Sequence, residues 1–222
     1  IAMLAKNAPD MVFTSLNHYL DYEWMLKAYA LTRKDGAVGI DGQTAEEYAI
    51  NLEGNLRSLL NRMKSGKYVA PSTRRVYILK SDGSKRPLGI TTFEDKIAQR
   101  AIVMLIEPIY EQVFRSFSFG FRPRKSAHQA LQHLRNHIME RGGRWIIDVD
   151  ISKYFDTINK TQLRGFLDRK VTDGVVRRLI DKWLKAGISE NGAIHYQSHG
   201  TAQGGVGSPL LANIYLHYVL DE

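Results

Sequence analysis

Asp148 and Asp150, one residue apart, follow the apolar run Trp145-Ile146-Ile147 and lead into Ile151-Ser152-Lys153-Tyr154-Phe155-Asp156. At the two-residue period of a strand, Trp145, Ile147, Val149 and Ile151 share one face, while Ile146, Asp148 and Asp150 share the other. Two carboxylates at the end of an apolar strand are costly to hold together unless a cation sits on them. A hard divalent ion such as Mg2+ suits that position, because it takes oxygen ligands and needs only a few from protein. A solvated strand end fits the same residues, and the strand alone leaves both readings open.

Two further stretches could do chemistry. Residues 74–86 read as a hairpin turning at Asp82-Gly83, with Arg74, Arg75, Lys80, Lys85 and Arg86 set against the single acid Asp82. Such a ribbon could clamp phosphates, which accept both guanidinium forks and ammonium charges. The turn Gln203-Gly204-Gly205 could let backbone approach a ligand closely. It lacks the Gly-Lys-Ser/Thr ending of a Walker phosphate loop. The seven histidines show no metal-ligand spacing, and no Ser/His/Asp arrangement stands out.

The elements that must position these residues are mostly helical. Phe13, Leu16, Leu20, Trp24, Ala28 and Leu31 recur at helical spacing and predict one buried face. Thr44 with Glu46 and Glu47 predicts a helix start, carried by Leu52, Leu56, Leu59 and Leu60 to Ser65-Gly66. Thr91-Thr92-Phe93-Glu94 has the form of a capping box opening a helix to Pro108. Ser126 opens another, with Ala127, Ala130, Leu131, Leu134 and Ile138 expected inward and Gly142-Gly143 as its end. Shorter helices are expected near 160–170 and 173–186, then a tight turn at Asn191-Gly192. Ser208 as N-cap and Pro209 at the first position predict a last helix, with Leu211, Ile214, Tyr215, Tyr218 and Val219 as its buried stripe.

Composition sets the class. A 222-residue chain that is 44% hydrophobic and 24% charged has the make-up of an ordinary globular protein with a substantial core. No apolar run is long enough to span a membrane, and with no cysteine there are neither disulfides nor thiolate metal sites. An intracellular, cytoplasmic setting fits the absence of cysteine. The 31 basic residues against 23 acidic ones give a net charge of +8, which favours polyanionic partners, nucleic acid above all.

Taken in order, the motifs resemble those of the group II intron-encoded reverse transcriptases, or maturases. Gly39-Ile40-Asp41-Gly42 looks like that family's N-terminal block, and Lys80 through Ile90 is similar to its first fingers block. Glu107-Pro108-Ile109-Tyr110-Glu111 and Gly120-Phe121-Arg122-Pro123 resemble the next two. Asp150 to Asp156 looks like the first catalytic block of the palm. Gln203-Gly204-Gly205 with Ser208-Pro209-Leu210-Leu211-Ala212-Asn213 resembles the block beside the nascent base pair. Ala202 stands where the family has proline, and Gly207 where a larger apolar residue is common.

The resemblance implies an α+β fold, helix-rich with small antiparallel sheets: right-hand polymerase fingers with an incomplete palm. Fingers are expected from residues 1–98 and 157–200, and palm from 99–156 and 201–222. The implied activity is RNA-directed DNA synthesis, with Asp150 as catalytic carboxylate and Mg2+ ligand and the backbone carbonyl of Ile151 as a lesser ligand. Lys80 and Arg86 are expected to hold the incoming triphosphate, and Phe155 to stand against its sugar. Gln203, Gly204 and Gly205 would shape the pocket for the new pair. Arg74, Arg75, Lys85 and Arg122 are the expected RNA contacts, with Asp148 only tuning the site. Implied partners are an RNA template, group II intron RNA, a DNA primer and a deoxynucleoside triphosphate, with no membrane. The family's Tyr-x-Asp-Asp box does not occur here, so these residues alone are expected to be inactive in polymerisation and to self-associate through an uncovered palm edge. Two rivals remain: a non-catalytic RNA-binding module, and a Mg2+-dependent phosphohydrolase that would need Asp148 as well as Asp150.

Overall fold

The computed structural model describes every residue except Asp82, Gly143, Arg144, Ala202 and Gln203. The apolar spacing of residues 13–31 ends in helix only over its second half. Helix α1 (Ala2–Asn7) stops before Pro9, Phe13 forms a parallel bridge with Val171, and Asn17–Tyr19 makes a single 3-10 turn before α2 (Tyr22–Leu31). Phe13, Leu16 and Leu20 are buried from this irregular backbone, while Leu31 is exposed. The physical reason lies far along the chain, at Asp173. Its carboxylate accepts the Leu16 and Asn17 N–H groups at 2.6 and 2.9 Å, satisfying backbone that a helix would have satisfied internally.

The reciprocal Thr44–Glu47 capping box starts α3 (Ala45–Ala49). A second start at Asn51 opens α4 (Leu52–Ser65), so the single helix expected over this stretch is two. Strands β1 (Thr73–Leu79) and β2 (Lys85–Ile90) form the expected antiparallel hairpin, with Ile78 opposite Arg86 and Leu79 opposite Lys85. Helix α5 (Phe93–Tyr110) starts one residue later than its sequence signal. Thr92 rather than Thr91 is the cap, and its hydroxyl accepts from the Asp95 N–H at 3.2 Å. Two-thirds of α5 is buried, from Phe93 to Tyr110, and α1 to α4 all pack on it. It runs unbroken through residues 98–99, the expected fingers–palm boundary, which therefore divides a helix and not a linker.

Helix α6 (Ala127–Arg141) has the expected Ser126 cap and a left-handed Gly142 end. None of its residues is buried; Leu131 and Leu134, expected inward, are exposed. The acidic segment departs further from expectation. Residues 145–151 are not a strand, and Trp145, at 93% exposure, projects into solvent together with Ile147 and Val149. A strand exists only where a neighbour completes its ladder, and no described segment of the chain pairs with this one.

The chain continues through α7 (Tyr154–Thr157), α8 (Lys160–Asp168) and α9 (Gly174–Lys185) into a small hairpin, β3 (Ile188–Glu190) and β4 (Ala193–His195). Its turn has positive φ at both Asn191 and Gly192, the backbone that matches strand twist. Among the described residues the strands form one sheet in the order β2-β1-β3-β4, in which β1 and β3 are parallel, so the sheet is mixed. Thus residues 188–195 join the sheet begun by 73–90. Helix α10 (Ser208–Leu216) places Ser208 inside its first turn and Gly207 at its cap, and buries Leu210, Leu211, Ala212, Asn213 and Ile214. Tyr215 and Tyr218 of the expected stripe are half-buried and Val219 is exposed.

Asp173 also caps α9, accepting from Val175 and Val176 N–H at 2.8 and 3.0 Å. Burial opposes its charge, but the four amide donors outweigh that and hold its pKa below the ordinary 3.8. A depressed carboxylate pKa contributes stability above the unfolded value and loses it as pH falls through the folded one. Asp173→Ala removes a helix cap and strands two further amides, an expected cost of about 2–4 kcal/mol. Urea denaturation at neutral pH measures this, and the deficit should shrink as both proteins are acidified below pH 3.8.

Candidate active site

The hairpin and the acidic segment face a common cleft of about 700 Å³. From the hairpin come Lys80, Lys85, Arg86 and Pro87; from the other wall come Asp150, Ile151, Lys153, Phe155 and Asp156. Four cations, Lys80, Lys85, Arg86 and Lys153, thus meet two carboxylates in one water-filled space. That balance suits a polyanionic ligand bridged to an acid by a cation. Asp150 is solvent-exposed on the cleft wall. Asp148 is exposed and outside the lining, so of the two aspartates only Asp150 lines the cleft.

The remaining residues expected at the site divide by what they touch. Arg74 donates to the Val38 carbonyl from Nε at 3.2 Å and from a terminal nitrogen at 2.7 Å, bracing the loop before Gly39. Arg75 is half-buried on β1. Arg122, expected on RNA, is buried and spent internally. Its guanidinium pairs with both Glu111 oxygens at 3.0 Å and donates to the Arg115 and Ser118 carbonyls at 2.7 and 2.8 Å. With those donors committed, Arg122 holds the Gly120-Phe121-Arg122 turn in place and offers no fork to a phosphate. Gln203 lies outside the described residues.

Phe155 sits on α7, half-buried at the cleft wall. Its ring lies 6.4 Å from Phe121, edge to face, and 5.6 Å from Tyr154. The Tyr154 hydroxyl donates to the Ala212 carbonyl at 2.7 Å, and Asn213 Nδ2 donates to the Gly120 carbonyl at the same distance. Hence α10 fixes both residues that brace the Phe155 ring.

The loop before α10 is tied to the cleft at several points. The N–H groups of Gly200 and Thr201 donate to the Ile158 and Phe155 carbonyls, each at 2.8 Å. A Cβ on Gly200, whose φ is +86°, would lie 2.8 Å from the Phe155 carbonyl oxygen. One on Gly204, at φ +112°, would lie 2.6 Å from the Gly89 carbonyl oxygen of β2. Both positions require glycine for backbone conformation and for space. Gly205 follows in the same loop and is buried.

Sequence reasoning missed the polar residues that hold this loop from behind. The buried Asp95 and Gln99 stand one turn apart on α5, and the Gln99 amide oxygen accepts the Gly207 N–H at 3.0 Å. The signal was available: a polar pair at i, i+4 among Ile97, Ala98, Ala101 and Ile102, where only apolar residues should survive unpartnered.

Among the described residues, no group of three or more His, Asp or Glu is gathered for a metal ion. The Asp150 carboxylate and Ile151 carbonyl are nonetheless hard oxygen donors in the same cleft as Lys80, Lys85 and Arg86. They fit a divalent ion that takes most of its ligands from water and phosphate. No helix among the described residues is long and apolar enough to cross a membrane.

The family model for reverse transcriptase (RNA-dependent DNA polymerase) matches residues 78–222. The group II intron-encoded protein LtrA of Lactococcus lactis subsp. cremoris is 40% identical over 96% of this chain and 36% of its own length. Protein YkfC of Escherichia coli (strain K12) is 39% identical over 88% of this chain and 53% of its own. The chain therefore spans about a third to a half of these relatives. A chain of a solved partial Cas6-RT-Cas1–Cas2 complex superposes with a TM-score of 0.60 over 92% of this chain and 34% of that one; at 22% identity the likeness is one of fold.

Gly204→Ala tests the loop's packing. The substitution combines an unfavourable φ with a backbone collision and should cost about 1–3 kcal/mol. Thermal denaturation monitored by circular dichroism should show that loss, whereas Gly83→Ala, with open space around its Cβ site, should lose only the φ contribution.

Proposed function

Because this chain belongs to the reverse transcriptase (RNA-dependent DNA polymerase) family, we propose that it forms the fingers and first palm segments of a group II intron-encoded polymerase and maturase. Residues 1–98 and 157–200 serve as fingers, and 99–156 and 201–222 as palm. The reading is carried by one observation: Lys80, Lys85 and Arg86 share a cleft with Asp150 and Phe155.

In this reading an incoming deoxynucleoside triphosphate lies along the cleft, its phosphates against the hairpin cations. Lys80 and Arg86 offset the charge that moves toward the leaving pyrophosphate as the primer 3′-oxygen bonds to the α-phosphorus. Asp150, with the Ile151 carbonyl, would hold Mg2+, which when bound lowers the pKa of the attacking hydroxyl and stabilises the leaving oxygen. Phe155 fills the space at the sugar's 2′ position and so excludes ribonucleotides. Gly204 and Gly205, with Gln203 beside them, shape the pocket for the new base pair.

RNA is the proposed template, and the primer is DNA. The net charge of +8, with Arg75 and Lys85 at the hairpin, provides affinity for the template and for intron RNA that weakens as salt rises. A bacterial cytoplasm supplies these partners. The apolar surface left open by α6 and residues 145–151 is where a further protein surface, including a second copy, would seat.

Primer extension on an RNA template by the gene product that carries this chain tests the assignment. Asp150→Ala should reduce incorporation by roughly 10³-fold or more. Retention of wild-type synthesis would remove Asp150 from the catalytic role. Phe155→Val should leave deoxynucleotide incorporation standing but relax discrimination against ribonucleotides by about 10–200-fold, measured as a ratio of kcat/KM values.

A further inference from the structure

The loop at Gly204–Gly207 is held between β2 and α5 by Gly89 and Gln99, which lie outside the lining of the cleft. From the front, Gly204 abuts the Gly89 backbone of β2. From behind, the Gly207 N–H donates to Gln99 Oε1 at 3.0 Å, and Gln99 Nε2 donates to Asp95 Oδ2 at 2.8 Å. Trp183 Nε1 donates to Asp95 Oδ1 at 2.8 Å, and the Tyr68 hydroxyl donates to the same oxygen. We propose that Gln99, oriented by Asp95, is a positioning residue that sets the height of the 204–207 loop and so the affinity of the pocket for the incoming nucleotide. This rests on the polymerase reading of the cleft.

The chemistry of the amide makes the relay directional. A backbone N–H needs an acceptor, so Gln99 must turn its oxygen toward Gly207 and its NH2 toward Asp95. The carboxylate can only accept, so it locks that orientation. The three donors to Asp95 come from three separate parts of the chain: Tyr68 after α4, Gln99 on α5 and Trp183 on α9. Other charged groups nearby are the Arg62–Glu94 ion pair, between α4 and α5, and Lys182 on α9, whose ammonium is occupied by the Gly66 and Tyr68 carbonyls. No other titratable side chain is bonded to Gln99 among the described residues.

Two substitutions separate positioning from simple structural support. Gln99→Met keeps the volume and removes both hydrogen bonds. Gln99→Glu keeps an acceptor for Gly207, and when protonated donates to Asp95 as the amide does. Two adjacent buried carboxyls share one proton until the pH is high enough to ionise both. For Gln99→Met, the KM for deoxynucleotide should rise about tenfold, the scale of one net hydrogen bond, while kcat and template–primer affinity stay near wild type. In the 222-residue chain, exchange of the Gly207 amide should accelerate by a similar factor. For Gln99→Glu, KM should sit near wild type at pH 6 and climb as pH rises to 9, a trend the wild type lacks.

A Gln99→Met protein with unchanged KM and unchanged Gly207 exchange overturns the proposal. Should that variant fail to fold, a KM for Gln99→Glu that does not change with pH overturns it equally. A wild-type protein that incorporates no nucleotide on RNA refutes the polymerase reading instead, and Gly207 exchange then decides the positioning claim by itself.

Discussion

The buried carboxylate of Asp95 is the constraint on which the packing turns. Desolvation pushes its pKa up to about 6, so at neutral pH the protein holds a negative charge inside its main core. A lone buried charge of this kind costs several kcal/mol. Here three neutral donors converge on it, each from a different segment, and none can leave without exposing the others' partner to an unpaired state. Helix α5 consequently has one rotational setting relative to α4, α9 and the loop ahead of α10. By linkage, the interior favours the protonated form: stability is greatest below pH 3.8 as far as this group is concerned and declines toward about pH 6. Asp173 has the opposite sign, so the two buried aspartates oppose each other across the acid range.

Motif blocks far apart in sequence meet beside the cleft through hydrogen bonds to backbone groups as well as through ring contacts at Phe155. Phe155 carbonyl to Thr201 N–H, Gly120 carbonyl to Asn213, Ala212 carbonyl to Tyr154 and Gly207 N–H to Gln99 tie five segments together behind the wall that carries Tyr154 and Phe155. Hydrogen bonds specify position more sharply than burial does, because their strength falls steeply with angle and distance. Apolar burial on α5 and α10 makes the domain stable; these bonds decide where its chemistry-bearing side chains stand.

Much of this was legible from local signals. The 73–90 hairpin, the caps at Thr44 and Ser126, the Asn191-Gly192 turn and the helices near 160 and 174 all follow from turn chemistry and periodicity acting within a few residues. The failures share a cause. Residues 13–20 have helical spacing, but a carboxylate more than 150 positions away satisfies their amides without a helix. Residues 145–151 alternate as a strand should, yet a strand is a property of two segments and no described segment pairs with this one. Arg122 is expected on RNA from the resemblance, and only tertiary structure shows it facing Glu111. The proximity of Lys80 and Arg86 to Asp150 came from motif order; propensity says nothing of which side of the sheet the acid will face.

The exposed stretch from Trp145 to Ile151 has a consequence for handling the molecule. Apart from Asp148 and Asp150 it is composed wholly of β-branched and aromatic residues, the kind of window that seeds cross-β aggregation. The two aspartates interrupt that window and act as gatekeepers against in-register stacking of identical segments, which is distinct from the seating of a folded second copy. The side chain that the polymerase reading proposes for metal chemistry thus also keeps the chain dispersed. Neutralising it removes both duties at once, so an inactive Asp150 variant has to be compared with wild type at matched monomer concentration before its loss of turnover is assigned to the reaction.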